Sequence, residues 1–449
     1  MSQQADRTTA PDATAEGQWQ TSTPKVLDER IPYVEFADAL QATCLVNDPW
    51  FEGEPTYRSS PVVLEQPFFD ALMQAGRRIG DLYAELCRIV EADPALLDDF
   101  YKLPDYYKLM WLSSDGWWHG FARMDMFQLQ DGSLRICELN ADTPSGQVET
   151  LVPASLVAPN YPDLDNPNRH YRERFLKLVE RYHQARTGDD SKPQTVAIIY
   201  PTDIPEDITL IRLYQQWFEE AGMQVQLGSP YNLDELPDGR LSLWGMPVDV
   251  VLRHYKTDWW GERPAIWTHE GQDIPDPDPL ADELMRILEA ERSGKVAVVN
   301  PFGSLIPQNK LSMAFMWEHK DRFSEAGQKA IEDLIPPTYR LETAGHDVVK
   351  QQKDKWVLKS DFGCEGDEVL IGPLQDQDDW EGSIDTAMPG MWVVQEFFDI
   401  RPIDNMLPNY GVYLIAGDPS GLLVRLAPVG VERDLNAQVV TPLVDKGDA

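Results

Sequence analysis

The chain has 449 residues, of which 42% are hydrophobic and 10% aromatic, so it can bury the core of two or three structural units and is not generally disordered. Its formal net charge of −36 (75 acidic and 39 basic residues) repels phosphate backbones and argues against a nucleic-acid partner. An acidic surface can attract cationic amines, but it also keeps a protein dissolved or adapts it to salt, and composition does not choose among these.

The cysteines are scattered along the sequence, with no CxxC pair and no even ladder. They lie at positions 44, 87, 137 and 364. This spacing argues against a disulfide scaffold or structural zinc and favours a reducing, cytoplasmic compartment. No run approaches the roughly 18 apolar residues of a membrane span, so no membrane partner is expected.

The N-terminal part is predicted to hold a tail and two helices. Residues 1–24 lack the apolar core of a signal peptide and are predicted to be a flexible tail, followed by an N-terminal region over 25–190. Within that region, 66–90 carries apolar side chains at helical spacing and predicts an amphipathic helix. A second helix follows Asn168 and ends near the polar segment 186–194, which marks a boundary.

Residues 191–300 are predicted to form a small α/β domain. "TVAIIY" (195–200) is typical of a buried strand, 206–222 of a helix ended by glycine, and 248–255 of a second strand. Strand, helix and strand in this order favour a parallel sheet. From 301 to 449 the pattern changes to a helix and several strands joined by glycine turns, which we assign to a third region.

A hairpin is predicted within "GFARMDMFQLQDGSLRICELN" (120–140), because two alternating runs flank Asp131 and Gly132, a strong signal for a two-residue turn. Counting outward from this turn predicts two polar cross-strand pairs, Asp125 with Glu138 and Arg123 with Asn140. The same alternation puts four apolar residues on the face of these polar side chains: Phe121, Phe127, Leu134 and Ile136.

Two facing carboxylates repel each other and therefore require a cation or a shared proton. Carboxylates with an amide oxygen suit Mg²⁺, and Arg123 would add fixed positive charge for a transferring phosphoryl group. The alternative is a solvated hairpin face that Arg123 neutralises, and the residues leave both open. On the metal interpretation, Glu138→Gln should leave the metal-free protein equally or slightly more stable, because one of two facing charges is gone.

The motif R-x-D (123–125), followed by E-x-N-A-D-T-P-S (138–145), resembles the signature of the glutathionylspermidine synthetase family, whose members have an ATP-grasp fold. The resemblance continues through "PQNKLSMAFMWE" (307–318), "DLIPPTY" (333–339), "WVLKSDFGCEGDEVLIG" (356–372) and "VVQEFFD" (393–399). It implies an α+β protein whose ATP-grasp fold is circularly permuted, since the metal motif precedes the nucleotide lysines. It also implies that the small parallel α/β unit is an inserted, pre-ATP-grasp-like substrate-side domain and that 301–449 is the nucleotide-binding region.

The resemblance further implies roles for individual residues. Asp125, Glu138 and Asn140 would hold Mg²⁺. Arg123 and Arg425 would act in phosphoryl transfer. ATP would contact a larger set: Arg123, Asp125, Lys310, Lys359, Gly363, Gly366 and the adenine-facing Gln395, Glu396, Phe397 and Phe398. The substrate candidates are Thr143, Glu206, Asp207 and Thr257.

Several of these residues also have a simpler explanation. Lys359 precedes a glycine-rich turn, which fits a phosphate-binding loop but also a plain glycine hairpin with an exposed lysine. Glu206 and Asp207 begin a helix, where negative charge is favourable in itself. Arg425 fits an ordinary surface arginine nearly as well.

The resemblance implies an ATP-dependent carboxylate–amine ligase that forms an amide through an acyl phosphate. Its cofactors would be ATP and Mg²⁺, and its substrates a glutathione- or peptide-like acid and a polyamine-like amine. The alternative is a non-catalytic nucleotide-binding protein that retains the fold. One departure favours that alternative: many relatives have Gly-Arg-Glu-Gly in the phosphate loop, where this chain has Gly-Cys-Glu-Gly (363–366). The N-terminal amidase that bifunctional members carry is not expected here.

Overall fold

The computed structural model describes the following residues: 21–46, 48–203, 207–261, 265–269, 280–363, 368–429 and 437–447. The predicted tail therefore lies outside the described residues as far as residue 20. Ser22 is already buried, and its hydroxyl donates to Oε2 of Glu65 at 3.0 Å.

Helices and strands are both abundant in the described residues, which confirms the predicted mixture of α and β structure. The helices are α1 Tyr33–Ala42, α2 Gln66–Ala92, α3 Leu96–Asp99, α4 Asp105–Ser113, α5 Gln147–Val157, α6 Tyr171–Thr187, α7 Ile208–Glu220, α8 Ala281–Arg292, α9 Leu305–Gln308, α10 Leu311–Glu318, α11 Glu325–Leu334, α12 Leu341–Ala344, α13 His346–Gln351 and α14 Gln377–Thr386.

Within the described ranges, the strands form six sheets of two to five strands. They are β1 Lys25–Val26, β2 Trp50–Phe51, β3 Glu54–Pro55, β4 Val62–Glu65, β5 Phe121–Gln128, β6 Leu134–Asn140, β7 Thr195–Ile199, β8 Gln224–Gly228, β9 Leu233–Glu235, β10 Leu241–Leu243, β11 Met246–Pro247, β12 Val250–Arg253, β13 Ala297–Val299, β14 Thr338–Arg340, β15 Trp356–Ser360, β16 Val369–Ile371, β17 Trp392–Glu396, β18 Met406–Ile415, β19 Asp418–Pro428, β20 Gln438–Val440 and β21 Pro442–Asp445.

The central sheet is antiparallel, in the order β20-β19-β18-β5-β6. One of its faces packs on α2, which is the amphipathic helix predicted over 66–90. The packing is close because Gly76 of α2 meets Met124 of the sheet, where an added Cβ would lie 3.1 Å from Cε. Since side chains alternate along a strand, the neighbours of Met124 point to the opposite face, away from α2.

The β5–β6 hairpin has the predicted polar pairs, Asp125 opposite Glu138 and Arg123 opposite Asn140. The turn, however, is longer than predicted. Leu129 and Ser133 close a three-residue loop through a 2.8 Å hydrogen bond from the Leu129 N–H to the Ser133 carbonyl. Gly132 occupies this loop with φ of +87°, a conformation that favours glycine.

A β-bulge at Cys137 compensates for the longer turn. The register shifts between Asp125 and Met126, so that Met126 pairs with Ile136 and Cys137 is the extra residue of β6. The prediction that Leu134 and Ile136 share the face of Asp125 is therefore wrong. Both lie in the core cluster with Met126, and the bulge turns the strand so that its last polar residues leave that core.

The four strands of a second sheet, in the order β13-β12-β7-β8, are all parallel. The predicted strands at 195–200 and 248–255 are β7 and β12, and the predicted helix at 206–222 is α7. Because parallel strands end at one edge, Arg253 at the end of β12 and Asn300 after β13 lie side by side. This carboxyl edge contacts the segment that follows β6.

A third sheet, in the order β14-β17-β15-β16, is antiparallel and carries the predicted nucleotide strands. Side chains on one face, including Trp392 of β17, pack with Trp380 of α14 in a separate core cluster. The other face turns Lys359 and Gln395 toward β6. Among the helices of the described chain, none combines the length and the apolar character needed to cross a bilayer.

Candidate active site

Asp125 is buried on the face of the central sheet that lies away from α2, where two arginines bind it. Its side chain is 3% exposed. Arg123 donates from Nε to Oδ1 at 2.8 Å and from Nη2 to Oδ2 at 3.0 Å, a bidentate pair. Arg425 of β19 donates from Nη2 to Oδ2 at 3.2 Å. The predicted catalytic arginines are thus brought together on one carboxylate.

Two glycines make room for the Arg123 side chain. Gly411 lies opposite Asp125 on β18, and a Cβ there would come within 3.0 Å of Cδ of Arg123. Gly146 has φ of +96°, and a Cβ there would come within 2.8 Å of the Tyr413 hydroxyl. The guanidinium is fixed further by a 2.9 Å hydrogen bond from Nη1 to the Ser145 carbonyl.

Glu138 faces a different set of positive charges. Lys310 Nζ lies 3.5 Å from its Oε2, and Asn140 donates from Nδ2 to Oε1 at 3.2 Å. Burial opposes ionisation of this carboxyl, but Lys310, Lys359 and Arg123 outweigh it and lower the pKa of Glu138 to about 2. The carboxylate is therefore charged at neutral pH and held by cations of the protein.

Lys310 and Lys359, which were both predicted to contact ATP, converge on β6. Lys359 donates to the Cys137 carbonyl at 3.1 Å and to Oε1 of Gln395 at 2.8 Å. Lys310 donates to the Gly363 carbonyl, and its own N–H bonds the Asp361 carbonyl at 2.8 Å. Both ammonium groups are buried, and burial lowers the pKa of Lys359. Because folding has already removed most of the water around both ammonium groups, an anion that bound them would not have to displace a full hydration shell.

The segment predicted to face adenine (395–398) already uses two of its backbone N–H groups in hydrogen bonds to neighbouring segments. The Glu396 N–H donates to the Pro337 carbonyl and the Phe397 N–H to the Lys355 carbonyl, both at 2.8 Å. The Phe398 ring lies against the Phe127 ring in a tilted arrangement, with ring centroids 5.7 Å apart and an interplanar angle of 51°. Nucleobase hydrogen bonds from this segment would therefore have to use groups other than the Glu396 and Phe397 amides.

The substrate candidates lie in different surroundings. Thr143 is partly buried in the loop after β6. Thr257 is buried, and its hydroxyl donates to Asp142 rather than facing open space. Asp207 precedes α7 and accepts from His254 Nε2 at 3.2 Å, and although burial opposes ionisation, His254 lowers the pKa of Asp207. Glu206 and Gly366 lie outside the described residues.

The donor chemistry of the hairpin fits a hard divalent cation. Asp125 and Glu138 are cross-strand partners on one face, and Asn140 adds an amide group beside Glu138. No group of three His, Cys, Asp or Glu side chains in the described part of the chain is placed to hold a metal, so protein ligation would rest on these two carboxylates and the amide. Two carboxylates with substrate phosphates are the usual Mg²⁺ arrangement.

Sequence reasoning missed three side chains around the hairpin end. Gln308 accepts at Oε1 from the N–H groups of Ala141 (2.8 Å) and Asp142 (3.1 Å). Asp142 itself is buried and ion-paired with Arg253. Asp142 and Gln308 lie within the motifs quoted for the family resemblance, at 138–145 and 307–318. Each was a polar residue of a motif to which the sequence analysis gave no role. Arg253 carried no local signal, since it ends an apolar strand.

Comparison with known proteins gives a family match, and two of the solved structures with a distant likeness are described below. Residues 70–439 match the family model described as "Glutathionylspermidine synthase preATP-grasp". A solved structure from Methylobacillus flagellatus KT, provisionally named a gamma-glutamylcysteine synthetase, is 12% identical, with a TM-score of 0.44 over 82% of this chain and 87% of that one. D-alanyl-alanine synthetase A from Vibrio cholerae O1 biovar eltor str. N16961 is 13% identical, with a TM-score of 0.31 over 53% of this chain and 68% of that one. No curated protein matches the chain.

Proposed function

Because the chain belongs to the glutathionylspermidine synthase preATP-grasp family, we propose that it is an ATP-dependent ligase that joins a carboxylic acid to an amine. One observation supports the proposal above the others. Four cations, Arg123, Arg425, Lys310 and Lys359, surround two carboxylates at the junction of the central sheet and the β14–β17 sheet. Charge of this kind is what a phosphoryl transfer requires.

The reaction we propose has two steps. A carboxylate oxygen of the acid attacks the γ-phosphorus of ATP, and ADP leaves with the electron pair of the broken P–O bond. The amine nitrogen then attacks the acyl carbon, inorganic phosphate leaves, and the nitrogen loses a proton to give the amide. Activation is needed because a free carboxylate is a poor electrophile at neutral pH.

Each charged residue would have a separate task. Lys310 and Lys359 would bind the nucleotide phosphates, replacing their present carbonyl and amide partners. Arg123 and Arg425, which Asp125 holds in place, would stabilise the charge that develops on the transferred group. Asp125, Glu138 and Asn140 would hold Mg²⁺, which when bound offsets phosphate charge. The ATP-grasp fold, its circular permutation and the inserted status of the parallel unit belong to the same proposal.

The family supplies the substrate hypothesis. We propose a glutathione- or peptide-like acid and a polyamine-like amine, with Thr143 and Asp207 near the acid and the amine. The formal net charge of −36 is compatible with a cationic substrate but does not select one.

A phosphate-release assay tests the proposal. The purified protein is given Mg²⁺-ATP and a panel that combines amino acids, peptides and polyamines, and the ligation product is identified by mass spectrometry. Release that needs both an acid and an amine supports the ligase. ATP binding by calorimetry without release under any pair would instead support the non-catalytic alternative, to which the Cys364 substitution in the phosphate loop points.

A further inference from the structure

Asp142 is a buried carboxylate that the proposed chemistry does not use. It is 4% exposed and lies two positions after Asn140. Thr257 donates to it twice, from its N–H to Oδ2 at 2.6 Å and from its hydroxyl to Oδ1 at 2.5 Å. Ser304 donates to Oδ1 at 2.9 Å, and Arg253 pairs with the same oxygen.

Arg253 is held as firmly as its partner. It is 1% exposed at the carboxyl end of β12. Its Nε donates to the Asn300 carbonyl at 3.0 Å and its Nη1 to the Tyr255 carbonyl at 2.7 Å. Nη2 reaches the Ser304 hydroxyl at 3.2 Å. Each nitrogen of the guanidinium therefore has an acceptor, so the group has one position rather than several.

The backbone beside Asp142 is clamped as well. Asn300 donates from Nδ2 to the carbonyls of Ala141 (3.1 Å) and Asp142 (3.0 Å). Gln308 accepts from the two N–H groups of the same residues. The three peptide groups between Asn140 and Thr143 are thus fixed by two side chains that are distant from them in sequence, Asn300 after β13 and Gln308 in α9.

We propose that Asp142, through Arg253, is a positioning residue that fixes the loop 141–146 and so sets the geometry of the site on either side of it. The loop follows Asn140, the proposed amide ligand, and includes the substrate candidate Thr143. Its Ser145 carbonyl accepts from Arg123. The clamp, by which we mean Asp142, Arg253, Asn300 and Gln308, lies at the carboxyl edge of the parallel sheet, the edge at which α/β sheets bind ligands.

Stability alone does not account for this clamp. A buried ion pair costs as much in desolvation as it returns, and apolar residues of similar volume often serve a core equally well. What an ion pair with many hydrogen bonds provides is a single orientation of the groups attached to it. Supporting residues of this kind typically change metal affinity or activity 10- to 100-fold when replaced.

The expected change in kcat rests on the proposed function, whereas the expected change in hydrogen exchange does not. Asp142→Asn keeps the side-chain volume and removes the charge. We expect hydrogen exchange in the peptide covering 141–146 to become at least about tenfold faster, and kcat to fall about 10- to 100-fold with KM for ATP changed less, because the lysines that bind phosphate are untouched.

The matched control is Glu318→Gln. Glu318 is likewise a carboxylate bound by an arginine, with its side chain 7% exposed and Arg340 donating from Nη2 at 2.7 Å and Nε at 2.9 Å. In the Glu318→Gln variant, hydrogen exchange at 141–146 and kcat should both stay near the wild-type values. Unchanged exchange at 141–146 in the Asp142→Asn protein, faster exchange with unchanged kcat, or equal effects in both variants would overturn the inference.

A second pair keeps the test informative if Asp142→Asn does not fold. Ser304→Ala removes one donor to Asp142, and Ser312→Ala removes a hydroxyl that is equally buried and bonds the Ile306 carbonyl at 2.6 Å. Exchange at 141–146 should rise roughly two- to tenfold in the first variant only. No rise in the first variant would count against the clamp. A wild-type protein without ATP turnover would refute the proposed function, while the exchange result would still decide the role of Asp142.

Discussion

Lys310 Nζ lies 3.5 Å from Oε2 of Glu138. Glu138 also lies directly opposite a second carboxylate, Asp125, across the hairpin. The repulsion expected between the facing carboxylates is therefore offset within the protein. Arg123 and Arg425 neutralise Asp125, and the two lysines act on Glu138. The carboxylates do not need a bound metal to coexist, so their pairing alone does not distinguish the metal interpretation from arginine neutralisation.

The first prediction concerns Glu138→Gln and reverses the expectation from sequence. Because the pKa of Glu138 is lowered to about 2, its charge stabilises the folded state above the unfolded pKa, and that contribution is lost as pH falls. Glu138→Gln should lower the unfolding free energy of the metal-free protein by about 1–3 kcal/mol at pH 7. Denaturant unfolding without metal measures this. A more stable variant would show that carboxylate repulsion dominates after all.

The second prediction is that Lys359→Ala weakens ATP binding about 10- to 100-fold, since a charged hydrogen bond in a buried site is worth about 1.5–3 kcal/mol. Titration calorimetry with ATP and Mg²⁺ measures the affinity. Lys353→Ala is the control, because Lys353 precedes the same strand but donates to the Gly372 carbonyl. Equal affinity in the two variants would place the phosphates elsewhere.

The third prediction concerns Gly146→Ala. The residue has φ of +96°, and a methyl group would meet the Tyr413 hydroxyl at 2.8 Å, Leu423 Cδ2 at 2.9 Å and Arg123 Nη1 at 3.3 Å. We expect a loss of about 2–4 kcal/mol in stability and a displaced Arg123, with lower turnover. Gly188→Ala, with φ of +71° and no atom within 4 Å, should cost only the backbone strain and leave turnover unchanged. Similar turnover in the Gly146→Ala and Gly188→Ala variants would contradict a role for Arg123 in phosphoryl transfer.

The fourth prediction concerns the pH dependence of stability. Burial raises the pKa of Glu291 to about 7 despite Arg186, whose Nε lies 3.4 Å from Oε1. A carboxyl with a raised folded pKa contributes stability that is complete below its unfolded pKa, near 4.5, and is lost as pH rises through about 7. The unfolding free energy of the wild type should therefore fall from pH 5 to pH 8 relative to Glu291→Gln. The difference is at most about 3 kcal/mol, at about 1.4 kcal/mol per pH unit. Parallel curves for the two proteins would contradict the raised pKa.

The hairpin shows how far sequence pattern reaches. The predicted pairing of Asp125 with Glu138 is correct although it was counted from a two-residue turn. The three-residue turn and the bulge at Cys137, neither of which was predicted, each change the count by one residue and cancel. The face of Ile136 was not predictable, because alternation assumes that every residue of a strand is paired. Long periodic elements such as α2 were recovered, whereas the Asp142–Arg253 pair joins distant segments that no local pattern connects.

Asp125 and Arg425 are 300 positions apart in the sequence, yet they meet on one sheet. At synthesis rates of about 5–20 residues per second, roughly 15–60 s separate their emergence from the ribosome. During that interval β5 lacks its neighbour β18, and the cation set that surrounds the carboxylates is incomplete. A nascent chain that lacks β18 and β19 should therefore be inert toward ATP and expose an open strand edge. The emergence of these two strands is then the step at which the site is assembled and chaperone protection of this edge can end.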